Sequence, residues 1–175
     1  MRFFALGVLL AFLPTLATAD ASLKSEIEAL NKPIATAFMK RDVSGFKKIV
    51  QSHMTSDFVY TEGDTTMNFD QMVGRIRQDY SMYSKVTGVS FHILSVKESG
   101  TTGTAIERQS IEGIAKGPSK KSHITTIVGI GIETYRKVNG KWKMATMSFA
   151  TEKMTVDGKS VPIGGAKHPH LTRQI

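Results

Sequence analysis

Cysteine is absent from all 175 residues of this chain, which excludes disulfides, thiol nucleophiles and cysteine-based metal sites together. No GxSxG elbow, phosphate loop, GxGxxG or HExxH occurs, so the motif-borne forms of acyl transfer, nucleotide binding and zinc hydrolysis are excluded as well. Gly129-Ile130-Gly131 lies inside a β-type run and opens no helix, so it is no nucleotide loop. Acidic residues are in the minority: 23 Lys and Arg against 15 Asp and Glu leave a formal charge of +8. The excess is spread over small clusters such as Lys40-Arg41, Lys47-Lys48, Lys120-Lys121 and Arg136-Lys137. No aromatic-interleaved basic motif accompanies them, so specific nucleic-acid binding is not expected and a solvated basic surface is.

Long apolar runs are scarce too. One opens the chain: Arg2 supplies a positive start, Phe3 to Leu13 an apolar stretch, and Ala17-Thr18-Ala19 a small-residue cleavage site. About eleven apolar residues are too few to cross a bilayer core of roughly 30 Å as a helix. Residues 1–19 therefore read as a signal peptide, and the protein as exported, periplasmic or secreted, without a membrane anchor. Cleavage is expected before Asp20, or before Ser22 if Ala19-Asp20-Ala21 is used. Removal takes one Arg and no acid, so +8 becomes +7. The domain is expected over residues 20–154, and a flexible tail over 155–175. That tail holds His168 and His170, which with no third ligand nearby in sequence make no metal site.

What is present is a clear change of period. Leu23, Ile27, Leu30, Ile34, Ala37 and Phe38 follow helical spacing over residues 22–40. Ser25 with Glu28, or Ser22, would cap that helix, and Pro33 should kink or break it. Asp42 caps a second, shorter helix burying Val43, Phe46, Ile49 and Val50. A strand over 57–62, a turn at Gly63-Asp64 and a third helix from Asn68 or Asp70 to about Tyr83 follow. Strands are then predicted at 88–97, 103–113, 122–137 and 141–154. Asn139-Gly140 supplies the positive φ angles of a tight hairpin between the last two. The result is an α+β domain, with the helices packed on one face of a curved antiparallel sheet and the final hairpin at its middle.

Simple alternation puts Trp142, Met144, Thr146 and Ser148 on one face of the last strand and Ala145, Met147 and Phe149 on the other. If the first set meets the helices, the second must be covered from outside. A homodimer through Ile127, Ala145, Met147 and Phe149 is expected, with fold-back of the tail as the competing cover.

Residues 37–64, AFMKRDVSGFKKIVQSHMTSDFVYTEGD, resemble the opening of the nuclear-transport-factor-2-like superfamily, in particular its SnoaL-like branch. Residues 133–148, ETYRKVNGKWKMATMS, resemble its closing hairpin. The resemblance covers about residues 22–154 and implies a cone whose helices close one face of the sheet and leave a pocket at the open end. It also implies, from the ketosteroid-isomerase-like branch, that Glu62 stands where that branch places a base. The tyrosine that donates to the oxyanion there falls on Phe38, which cannot donate.

Strand parity adds Glu107 and Gln109, which face inward if small Ala105 does. The candidate catalytic residues are thus Glu62 and Glu107. The candidate ligand-binding residues are Tyr60, Tyr80, Tyr83, His92 and Gln109, the tyrosines packing with their hydroxyls at the rim. No cofactor and no metal are expected. Two functions stand: an exported module binding a small apolar or amphipathic molecule, and a lyase or isomerase using a pocket carboxylate. A carboxylate in a closed apolar pocket beside a donor would favour the second.

Overall fold

The computed structural model describes residues 21–116 and 121–162. The expected leader and the tail beyond Pro162 lie outside the described residues. Three helices precede or interrupt the strands: α1 (Leu23–Met39), α2 (Val43–Gln51) and α3 (Phe69–Ser81). The strands are β1 (Met54–Glu62), β2 (Thr65–Met67), β3 (Tyr83–Ser99), β4 (Thr102–Lys116), β5 (Ser122–Val138), β6 (Lys141–Val156) and β7 (Lys159–Val161). They form one seven-stranded sheet in the order β2-β1-β6-β5-β4-β3, with β7 paired to β6. The β5–β6 hairpin is indeed central, and Asn139 and Gly140 have φ of 53° and 77°.

Local chemistry fixes the helix ends. Ser22 accepts the Ser25 amide to cap α1, rather than Ser25 itself capping it. The Asp42 carboxylate accepts the Gly45 amide at 2.8 Å. A side chain at Gly45 would start 2.3 Å from that carboxylate, so any other residue there would make the Asp42 side chain shift. Asn68 and Gln71 form a reciprocal capping box on α3. The break expected at Pro33 does not occur, and α1 runs unbroken through it. Pro33 and Ala29 both lie on the exposed face of α1, so water can serve the Ala29 carbonyl that proline leaves free.

Two features of the sheet depart from expectation. β1 pairs parallel to β6, so the sheet is mixed rather than antiparallel. The β6 register against β5 also slips twice, bulging Ala145 between Met144 and Thr146, and Ala150 between Phe149 and Thr151. Each bulge reverses the alternation of the strand. Trp142 and Met144 face the helices, and after the first bulge Met147 and Phe149 face the same way. Ile127, Met147 and Phe149 therefore line the cavity, and Ala145 is buried at its bulge. The outer-face contact expected through these four residues loses its surface. Residues 155–161, expected to belong to the tail, instead lie in the sheet, because β6 continues to Val156 and β7 folds back onto Met154 to Val156.

The main core lies between α1, α2, α3 and the concave face of the sheet, built on Leu23, Ile27, Val50, Phe58, Met72 and Trp142 among others. A second cluster of Tyr80, Tyr83, Val86 and Ala115 closes one end of the fold.

Candidate functional site

Between the helices and the concave face is a cavity of about 390 Å³, within the range of roughly 300–1,000 Å³ for small-molecule sites. Its walls are chiefly apolar. Phe38 stacks on Phe46 with ring centroids 4.8 Å apart and approaches Tyr80 at 5.2 Å and Phe91 at 6.5 Å. The Phe38 position thus carries an aromatic wall and no donor.

Parity sets the inner polar end. On β4 the inward residues are Ala105, Glu107, Gln109 and Ile111. They pair across to Glu133, Gly131, Gly129 and Ile127 of β5. Gly131 lets the Gln109 amide lie close, since a Cβ there would sit 3.3 Å from Nε2. Gly129 makes room for the Phe149 ring, 2.7 Å from the place a Cβ would take.

Glu107 is only 1% exposed and Glu133 only 3%. Asn31 Nδ2 donates to Glu107 Oε1 at 2.6 Å. Gln109 Nε2 donates to Glu107 Oε2 at 3.3 Å and to Glu133 Oε1 at 3.2 Å, bridging the two carboxyls. The Tyr135 hydroxyl donates to Glu133 Oε2 at 2.5 Å. Burial first and the Glu107 charge second raise the pKa of Glu133 to about 7, the Tyr135 bond only partly offsetting them. Burial likewise raises Glu107, against the lowering effect of its bonds from Asn31 and Gln109. Burial and the Glu133 charge hold the Tyr135 proton firmly on its oxygen. Burial, and for Glu133 the neighbouring charge as well, favours the protonated form of these carboxyls.

The mouth is built differently. Glu62 Oε1 lies 3.6 Å from Arg75 Nη2, and Arg75 Nε lies 3.4 Å from Asp79. Tyr60 stands beside them, its ring 6.4 Å from Phe149, and its pKa is raised first by burial and then by the charges of Glu62, Glu152 and Asp79.

Of the seven residues singled out from sequence, the cavity gathers Tyr60, Glu62, Tyr80, Tyr83, Glu107 and Gln109. His92 is not among them; it is exposed and pairs with Arg108 on the outward side of β3 and β4. The hydroxyls of Tyr80 and Tyr83 do not reach a wet rim: both residues are buried, at 6% and 4% exposure, and neither hydroxyl has a hydrogen-bond partner among the described residues. Sequence reading missed Asn31, Glu133 and Tyr135. A signal existed for each. Asn31 lies four residues after Ile27 and three before Ile34, on the apolar stripe of α1, and Glu133 and Tyr135 share the parity of Ile127.

Three helices on the concave face of a curved, unclosed sheet, with a pocket between them, define the nuclear-transport-factor-2-like (NTF2-like) fold, and this chain has it. A conserved protein from Planctomyces limnophilus DSM 3776 superposes with a TM-score of 0.57 at 15% identity, over 71% of this chain and 92% of that one. An NTF2-like protein of unknown function from Shewanella oneidensis MR-1 gives 0.54 at 14% identity, over 72% and 97%. A hexachlorocyclohexane dehydrochlorinase (LinA), type 2, gives 0.51 at 15% identity, over 81% and 94%. No protein-family model matches the sequence, and no curated protein does. Identities this low establish the fold alone. Among the described residues no helix is long and apolar enough to cross a membrane.

Proposed function

We propose that this is a small-molecule-binding protein whose cavity takes an apolar body and holds its polar group against the Glu107–Gln109–Glu133 network. The observation that carries this is the pairing of an aromatic-walled cavity of about 390 Å³ with two buried carboxyls at its inner end. Buried carboxyls are costly and need donors. Here each carboxylate oxygen takes one protein donor and keeps acceptor capacity toward the cavity. The amino-terminal leader makes export part of the same proposal. Intact mass of the exported protein, starting at Asp20 or Ser22, tests that part, and retention of Met1 contradicts it.

A second reading has its own support. Glu133, with a pKa of about 7, is poised to give or take a proton near neutral pH, beside a tyrosine donor and a second carboxyl. That arrangement suits proton abstraction or elimination in a lyase or isomerase, and a dehydrochlorinase shares the fold. In this reading Glu133 is the base, while Glu62 at the mouth is held by Arg75.

Binding of the neutral apolar fluorophore N-phenyl-1-naphthylamine tests the primary reading. Saturable enhancement at micromolar concentration, lost in Ile111→Trp, is expected, because indole at that position fills the cavity between the aromatic wall and the carboxyl pair. Enhancement that is absent, or unchanged in Ile111→Trp, contradicts it.

A further inference from the structure

The charge inside the cavity is opposite to the charge of the chain. Among the described residues, Glu62, Asp79, Glu107, Glu133 and Glu152 line it with a single cation, Arg75, and no Lys or His, in a protein whose formal charge is +8. Arg75 is engaged at the mouth by Glu62 and Asp79, so no guanidinium or ammonium of the lining reaches the inner end. The inner end is also short of donors. Gln109 spends its amide on both carboxyls and Tyr135 spends its hydroxyl on Glu133, leaving one amide hydrogen on Asn31. Tyr80 and Tyr83, each more than nine-tenths buried, line the same cavity with hydroxyls that have no partner among the described residues. An unserved buried hydroxyl calls for an explanation, and a bound ligand is one.

Resting on the binding reading above, we infer that the natural ligand class is a lipophilic amine, protonated when bound, with its ammonium at Glu107 and Glu133 and its body against Phe38, Tyr80, Tyr83 and Phe91. An ammonium supplies three donors and no acceptor, which is what the acceptor-rich inner end lacks. A carboxylate or phosphate of the same size meets like charge and is rejected.

The pH dependence follows from what surrounds Glu133. It faces Glu107 and Gln109 from β4, Tyr135 from its own strand and Met147 from β6. Asn31 from α1 reaches Glu107, and Glu62, Arg75, Asp79 and Glu152 stand further out. The acid with its pKa at about 7 is Glu133, and the proton it holds competes with the ammonium. Amine affinity therefore rises from pH 5 to pH 8, while an ordinary alkylamine stays protonated throughout.

The test is a matched series with one apolar body: 2-naphthylmethylamine, 2-naphthylmethanol and 2-naphthylacetate, each displacing N-phenyl-1-naphthylamine or titrated by calorimetry. At pH 8 the amine is expected to bind about tenfold or more tighter than the alcohol, and the acetate weakest. The amine-to-alcohol ratio should fall several-fold at pH 5, and in Glu133→Gln at pH 8. The wild-type pH series carries the test alone if that variant does not fold. An alcohol or acetate that equals the amine at pH 8 overturns the amine class and leaves the binding pocket standing. If the fluorophore and all three compounds fail to bind, the pocket reading fails and this inference with it.

Discussion

Glu62 and Glu133 are the same residue type lining the same cavity, and they have little else in common. Glu62 is at the mouth, its side chain 16% exposed and 3.6 Å from the Arg75 guanidinium. Glu133 is at the inner end, where its nearest charge is another carboxyl and its donors are an amide and a phenol. A guanidinium favours the charged form of its neighbour, whereas burial beside a like charge favours the neutral form. The position marked by family resemblance is thus the one held in an ion pair at the mouth, and the raised pKa belongs to Glu133 instead. Chemistry in such a cone follows the partners a carboxyl is given rather than its place along the first strand.

Removing the shared donor should break the contrast most strongly. Gln109→Leu takes one hydrogen bond from each buried carboxyl, and bonds to charged groups are worth about 1.5–3 kcal/mol each. A loss of about 4 kcal/mol at pH 8 is expected in urea denaturation, and a smaller one at pH 5, where a retained proton eases the repulsion. Glu133→Gln should act in the other direction. Its folded pKa of about 7 exceeds the ordinary value of 4.5, so between those values the native state binds more protons than the unfolded one. The stability this contributes is full below about pH 4.5 and is lost as pH rises through 7. Denaturation across that range should show wild type declining by about 3 kcal/mol while Glu133→Gln stays nearly flat. Tyr135→Phe leaves Glu133 without its phenol donor and should cost about 2 kcal/mol at pH 8, with less effect at pH 5. At the mouth, Glu62→Gln disturbs only a partly exposed ion pair, and a change below about 1 kcal/mol is expected at either pH.

Much of the scaffold was legible because it is written locally. Asp42 ahead of an apolar helical stripe, Asn68 three residues before Gln71, and Asn139-Gly140 between two β-branched runs each specify a boundary within a few residues. The inward parity of Glu107 and Gln109 was legible too, because β4 pairs with β5 without a register shift. Alternation failed on β6, where bulges at Ala145 and Ala150 turn Met147 and Phe149 inward. A bulge depends on the partner strand, which the sequence of β6 does not contain. The parallel pairing of β1 with β6 is long-range in the same way. Glu133 lay within the stretch that resembles the closing hairpin. Its importance comes from Glu107 across the sheet and Asn31 on α1, residues brought together only by folding.

Whether the carboxyl pair keeps a proton near neutral pH is read directly by carbon-13 NMR titration of the glutamate side chains. Two carboxyl resonances are predicted to titrate above the ordinary range, one with an apparent midpoint of about 7, and Gln109→Leu should move both together. If every glutamate carboxyl titrates below about pH 5, as unperturbed groups do, the pair is fully ionised at neutral pH and the account is wrong.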